Sequence, residues 1–333
     1  MAAYRPDMLV AWDQMRLPDA AATPVLPLQK IPSVATSQKG DRLVLKGRKF
    51  TAAFDKKTAT LVSLRSGDVE LIREPLRPNF WRAPVDNDLG YGFPGVHGVW
   101  RHATDGSRVE RFEVQEKPER HAVVVRTALA LPKVNAAWET DYTVYGSGDI
   151  VVESRFKPTK TNLPTLPRLG LQMQMPAGFE YLQWYGRGPE ETYADRCDAA
   201  VGVYHSTVDK QVVDYTRPCE MGNKVDVRWM ALTNDAGVGL LAVGMPTLST
   251  SALHYTLDDL QDHRHLWEVP RRDFVVWNLD GRQMGVGGDD GWGARPHDEF
   301  QIRCVPQGYA LRLRPISAAD ADLAELARQK LEP

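Results

Sequence analysis

From about residue 41 onward, apolar and polar residues alternate one by one, and this period of two limits what the chain can fold into more than any other feature. Val123, Val125, Thr127, Leu129 and Leu131 alternate with Ala122, Val124, Arg126 and Ala128. Trp138, Thr140, Tyr142 and Val144 alternate with Glu139, Asp141 and Thr143. Successive side chains of a strand point to opposite faces, so each run offers one face to a core. The turn Gly146-Ser147-Gly148-Asp149 joins the second run to residues 150–156, a hairpin signal. Leu169, Leu171, Met173 and Met175 share an apolar face opposite Arg168, Gln172 and Gln174. Residues 225–232 and 238–243 flank a second turn, Asn234-Asp235-Ala236-Gly237. Residues 263–265, 274–279, 299–304 and 309–314 read as further strands.

One stretch reads as a helix, at the C-terminus. Ser317-Ala-Ala-Asp320 resembles a capping box, and Leu323, Leu326 and Leu331 follow at roughly helical spacing. Many antiparallel strands without a strand–helix–strand rhythm predict an all-β fold, a large antiparallel two-sheet sandwich.

The N-terminal region reads differently. Residues 9–17 form one imperfectly alternating strand, and a lone strand cannot bury itself. Either it pairs with the main domain, or residues 1–18 are the remnant of a preceding domain. Pro18, Pro24, Pro27 and Pro32 mark residues 19–40 as a linker, leaving residues 41–333 as the main domain.

Composition excludes several classes. At 43% hydrophobic and 25% charged the chain is globular rather than disordered. With 41 basic and 43 acidic residues nothing favours a nucleic acid as partner. No apolar run of about 18 residues offers a membrane span. Cys197, Cys219 and Cys304 are odd in number and far apart, which fits neither a disulfide framework nor a zinc site. Met1-Ala-Ala-Tyr-Arg-Pro6 lacks the apolar core of a signal peptide, so a soluble, cytoplasmic chain is expected unless an export signal lies upstream.

Three segments carry chemistry beyond the strand pattern. Phe80-Trp-Arg-Ala-Pro-Val-Asp86-Asn87-Asp88-Leu-Gly90 combines an aromatic anchor, a proline bend and short polar side chains suited to capping turn amides. Its Asp-Asn-Asp trio also begins like an oxygen-rich cation loop, without the later glutamate such a loop needs. Trp184-Tyr-Gly-Arg-Gly-Pro-Glu190-Glu191-Thr-Tyr-Ala-Asp-Arg196 sets aromatics beside carboxylates, a composition that can bind sugar or pack a loop onto a sheet. Adjacent Glu190 and Glu191 cannot flank a glycosidic bond, whose two carboxyl groups stand about 5–9 Å apart on opposite sides. The third segment, Trp277-Asn-Leu-Asp280-Gly through Gly285-Val-Gly-Gly-Asp-Asp-Gly-Trp292, lacks the Lys-Ser/Thr and helix of a phosphate loop. On the residues alone Trp292 is either a loop-borne binding side chain or an indole folded back on the sandwich. His263 and His265 lack an evident third metal ligand and fit a solvated strand better than a metal fragment.

These segments, in this order, resemble the C-terminal domain of the β-galactosidases of glycoside hydrolase family 2, also called the β-galactosidase small chain (domain 5). The resemblance covers roughly residues 41–315 and includes the word His263-Arg-His265. It implies a supersandwich of the galactose mutarotase type. It also implies that residues 10–17 close an immunoglobulin-like domain. The family's catalytic glutamates and its Mg²⁺ and Na⁺ ligands lie in a separate (β/α)8 barrel, whose strand–helix rhythm this chain lacks. The resemblance thus implies no catalytic residue, metal or cofactor here. It implies a barrel-bearing large chain or upstream domains as partner, a β-galactoside as substrate and an oligomeric parent enzyme. What it carries over is Trp292, the substrate-binding tryptophan that reaches the barrel's active-site mouth and stacks on sugar, although Gly291 stands before it. Two other expectations compete: a stand-alone carbohydrate-binding module, or a mutarotase-like epimerase with its own acid–base pair.

Overall fold

The computed structural model describes residues 11–15, 17, 23–160, 162–320 and 322–331. Strands dominate it, as the alternation requires. The strands Ala200–Thr207, Tyr181–Gly188, Lys224–Thr233, Gly239–Leu253, Gln307–Ile316, Ile150–Pro158, Ala136–Tyr145, Ala122–Leu131 and Arg108–Lys117 lie side by side in that order, all antiparallel. A second sheet runs Ala35–Lys39, Arg42–Lys46, Phe50–Asp55, Thr60–Ser66, Val69–Glu70. Apolar residues of both sheets share one core, where Phe54 meets Tyr142 edge-on at 5.1 Å between ring centroids.

The long strand Gly239–Leu253 organises the molecule. Its first half pairs with Gln307–Ile316, Gly239 opposite Ile316 and Met245 opposite Ala310. Its second half pairs with Val275–Gln283, which carries Arg168–Met175 and then Glu74–Asn79. Pro246 stands at the changeover, where a residue without an N–H cannot continue the first ladder. One strand thereby serves two walls, the usual way a curled sheet turns a corner. The fold is all-β and of the expected sandwich type, a curled antiparallel sheet packed on a smaller one.

The alternating runs bury the faces that the sequence indicates. Val123, Val125, Leu131, Trp138, Tyr142 and Val144 are buried. The first hairpin has the expected register, with Val144 opposite Ile150 and Tyr142 opposite Val152. The second closes on Asn234, whose side chain accepts the N–H groups of Ala236 at 3.1 Å and Val238 at 3.0 Å.

Four expectations are corrected. Residues 299–304 are no strand: a 3₁₀ turn covers Asp298–Phe300, and Ile302 makes one bridge to Leu166. His263 and His265 follow the helix Leu257–Asp262 in a bend and lie on no strand. The supposed linker belongs in part to the sandwich, because Ala35–Lys39 pairs with Arg42–Lys46, while Val25–Leu26 joins Lys330–Leu331 in a separate two-stranded parallel sheet. The C-terminal helix is confined to Leu323–Arg328, where Asp322 caps the N–H of Glu325 at 2.8 Å while Ser317 and Asp320 close a separate turn. Of the expected N-terminal strand, residues 11–15 have no strand conformation, and most of the remainder lies outside the described residues. Gln14 nevertheless uses its side-chain amide as a strand would, exchanging two 2.7 Å bonds with the backbone of Val201 on the edge strand. Among the described residues no helix is long and apolar enough to cross a membrane.

Candidate functional site

The three segments singled out in the sequence meet at one end of the sandwich around buried charges. Arg82, fully buried, pairs with Asp88 at 2.8 Å and donates to the carbonyls of Met284 and Gly285. Burial works against the Arg82 charge, but the charge and hydrogen bond of Asp88 outweigh it and hold the guanidinium pKa above its ordinary value. Asp88 also accepts the N–H of Val85 at 3.0 Å, starting the short helix Asp86–Gly90. Two of the Asp-Asn-Asp trio are taken up by the fold, Asp88 serving Arg82 and Asn87 donating to the Val286 carbonyl at 3.3 Å, while Asp86 is exposed.

The Glu190–Arg196 segment braces the other side. Glu191 accepts the N–H of Gly222 at 2.7 Å and bonds with Tyr215 and Arg196, while Glu190 faces solvent. Asp195 accepts the backbone N–H groups of Val286 at 3.0 Å and Gly287 at 2.7 Å. The glycine-rich loop thus binds a carboxylate of its own chain, through the amide array that a phosphate loop turns to its ligand. Behind it Arg168 faces Glu220 at 2.8 Å and Asp280 at 3.0 Å, all three buried. Burial pushes the Asp280 carboxyl up to about 7 against the pull of Arg168. Burial and the charge of Glu220 push the Cys219 thiol up to about 12, so it is no nucleophile at neutral pH.

A pocket of about 170 Å³ opens between the three segments, lined by Asp86, Asn87, Glu191, Arg196, Tyr215 and Val286 among others. Glu191, Asp88, Glu220 and Asp195 around it are each tied to a guanidinium or backbone amide. Such an arrangement holds a loop in place.

That loop presents Trp292, 90% exposed. Asp290 accepts the N–H groups of Trp292 at 2.8 Å and Ala294 at 3.2 Å, which lowers its own pKa and fixes the turn. Gly293 sits at φ +154°, and Asp289 pairs with His297 at 2.8 Å. The loop rests on the short helix below it. A Cβ on Gly90 would stand 3.2 Å from the Gly291 carbonyl and 3.3 Å from the Gly293 nitrogen. The structure thus decides between the two conformations open to Trp292: the indole stands free of the sandwich.

The His263-Arg-His265 word stands apart from this network. His263 bonds to the carbonyl of Asp259 at 2.7 Å, and His265 stacks on the exposed Trp267 with ring centroids 4.1 Å apart. Sequence reasoning missed the pairing of Arg82 with Asp88 inside one segment, and the ion pairs of Arg168 with Glu220 and Asp280, which lie far along the chain. It also missed a cluster of Glu180, Asp209 and His254, which no local spacing brings together.

Comparison with known proteins agrees with these features. The family model described as "Beta galactosidase small chain" matches residues 46–314. A β-galactosidase of Priestia megaterium is 38% identical over 88% of this chain, and one of Halalkalibacterium halodurans is 35% identical over 77%. The chain spans 28% and 26% of those two proteins. Among solved structures, galactose 1-epimerase from Lactobacillus acidophilus aligns over 86% of this chain and 98% of its own, with a TM-score of 0.49 and 9% identity. The matched span includes all three segments around the loop of Trp292, and the chain belongs to the β-galactosidase small-chain family.

Proposed function

We propose that the chain is the C-terminal portion, or separately encoded small chain, of a retaining β-galactosidase of glycoside hydrolase family 2. The parent reaction hydrolyses terminal β-galactosides by double displacement at two carboxylates. In this reading those carboxylates, with Mg²⁺ and Na⁺, belong to a (β/α)8 barrel in the larger partner. The small chain contributes Trp292 to the rim of the sugar pocket. The observation that carries the reading is the geometry of that indole: 90% exposed, on a loop fastened by Asp195 and Asp290. A fixed aromatic face suits the C–H face of a sugar, and stacking there contributes about 1 kcal/mol beyond buried area.

Reconstitution tests it. The purified chain is mixed with a β-galactosidase fragment that holds the barrel but lacks this domain. The chain alone should hydrolyse no β-galactoside, and the mixture should. Trp292→Ala should still assemble but lose activity, with the larger effect on KM for lactose. Turnover by the isolated chain, or full activity of the Trp292→Ala mixture, defeats the proposal. Micromolar galactose binding by the isolated chain, lost in Trp292→Ala, would instead make it a self-contained binding module.

A further inference from the structure

Away from the Trp292 loop, three segments bring metal-ligating side chains together. Glu180 lies in the bend before strand Tyr181–Gly188, Asp209 opens the 3₁₀ turn Asp209–Gln211, and His254 follows strand Gly239–Leu253. One ligand atom of each lies within 4.8 Å of the others. The N–H of Val208 donates to the Glu180 carbonyl at 2.9 Å, so the backbone itself holds the first two segments together.

His254 is buried, and its orientation is fixed. Its Nδ1 lies 2.8 Å from the carbonyl of Phe274, a bond in which that nitrogen carries the hydrogen. This leaves Nε2 directed at the carboxylates, 2.7 Å from Glu180 Oε2 and 3.9 Å from Asp209 Oδ1. A metal-ligating histidine is held in the same way, its far nitrogen bonded to a backbone carbonyl. Glu180 and Asp209 are partly exposed, which leaves a side of the cluster open to water. The positive charge now at the cluster is Arg271, which grips Asp209 through 2.7 and 3.1 Å contacts and reaches Glu180 at 3.5 Å. Arg271 is about half exposed and can swing out.

We propose that Glu180, Asp209 and His254 form a three-ligand site for a divalent cation of zinc type, which takes the place of Arg271 between the two carboxylates. One imidazole and two carboxylates suit Zn²⁺ in chemistry, with water completing the tetrahedron. With Nδ1–H given to Phe274, the 2.7 Å contact of Nε2 with Glu180 is itself an N–H···O bond, so a dication bound there replaces both the Nε2 hydrogen and the Arg271 guanidinium. Bound there, the ion pins the end of the long strand to the segments flanking Tyr181–Gly188 and Ala200–Thr207, which lie beyond Lys224–Thr233 in the sheet.

The test uses the tag-free, EDTA-treated chain. Isothermal titration with Zn²⁺ should show one site, and Co²⁺ should give the visible absorption band of a tetrahedral nitrogen–oxygen site. His254→Gln and Glu180→Gln should each weaken Zn²⁺ at least tenfold and abolish the Co²⁺ band. Arg271→Ala should tighten binding severalfold by removing the competing cation. Absence of a stoichiometric site in the parent chain, or a Zn²⁺ affinity that survives both ligand substitutions, overturns the proposal. Should His254→Gln fail to fold, Glu180→Gln and Arg271→Ala decide it, because both positions are partly exposed.

Discussion

Asp195 and Gly285 approach so closely that no side chain fits at position 285: a Cβ there would stand 2.4 Å from Asp195 Oδ2. The contact follows from what Asp195 does. To accept the amides of Val286 and Gly287 together, its carboxylate must lie flat against the loop backbone. Gly285→Ala should therefore push the carboxylate off the loop, and Asp195→Ala should leave two amides without their acceptor. Each is expected to cost about 1–3 kcal/mol of stability. Both should also increase hydrogen exchange at Val286 and Gly287 while leaving the strand core protected, which amide exchange by mass spectrometry resolves.

Asp280 gives the domain an unusual pH dependence. Its carboxyl is raised in the folded state to about 7, mainly by burial, from the ordinary 3.8. A raised pKa means that the folded state holds the proton more tightly than the unfolded chain does. The contribution is fully present below about pH 4 and is lost as pH rises towards 7, the reverse of a salt-bridged aspartate. Charges add up the same way: Arg82 and Arg168 face Asp88, Glu220 and Asp280, one carboxylate in excess. Urea unfolding of the parent chain should lose on the order of 1–3 kcal/mol relative to Asp280→Asn between pH 4.5 and 7.5. A constant difference across that range would show that Asp280 stays ionised throughout.

The strand pattern was legible because period two is a local property. Tyr142 and Val152 face each other across a hairpin that Gly146 to Asp149 announce, and the structure keeps that register. Arg168 shows where local reading stops. Alternation assigned it to the polar face of its strand, but it is wholly buried there against Glu220 and Asp280. Its partners Glu220 and Asp280 lie far along the chain, and nothing near residue 168 announces them. The second half of Gly239–Leu253 was missed for a related reason. Pro246 and the run Ser249-Thr250-Ser251 look like loop, but these hydroxyls are buried and bonded, Thr250 to the Asn278 carbonyl at 2.6 Å and Ser249 to Asn223 at 3.0 Å. Trp292 was identifiable as a candidate, but its exposure required the loop geometry.

Arg82 and Asp88 should behave as a unit. Arg82→Met alone strands a buried carboxylate and removes two donors to the loop carbonyls, at a cost of about 3–5 kcal/mol. Asp88→Leu alone strands the guanidinium and should cost a similar amount. The double variant leaves no unpaired charge and should recover part of either loss. A double-mutant cycle by thermal unfolding measures this, and strict additivity would mean that the pair is not coupled.

Trp292 separates stability from function. At 90% exposure its indole buries almost nothing, so Trp292→Ala should shift unfolding free energy by less than about 0.5 kcal/mol. Asp290 is different, because its carboxylate holds the backbone of Trp292 and Ala294, and Asp290→Ala should release the turn without disturbing the sandwich. The parent and the two variants should then melt alike. In the reconstituted enzyme both variants should lose activity, Trp292→Ala because the ring is gone and Asp290→Ala because the ring is no longer held. Tryptophan anisotropy reads the second effect directly, since a freed indole depolarises faster. Unchanged anisotropy in Asp290→Ala, combined with lost activity, would place the cause of that loss somewhere other than the mobility of the ring.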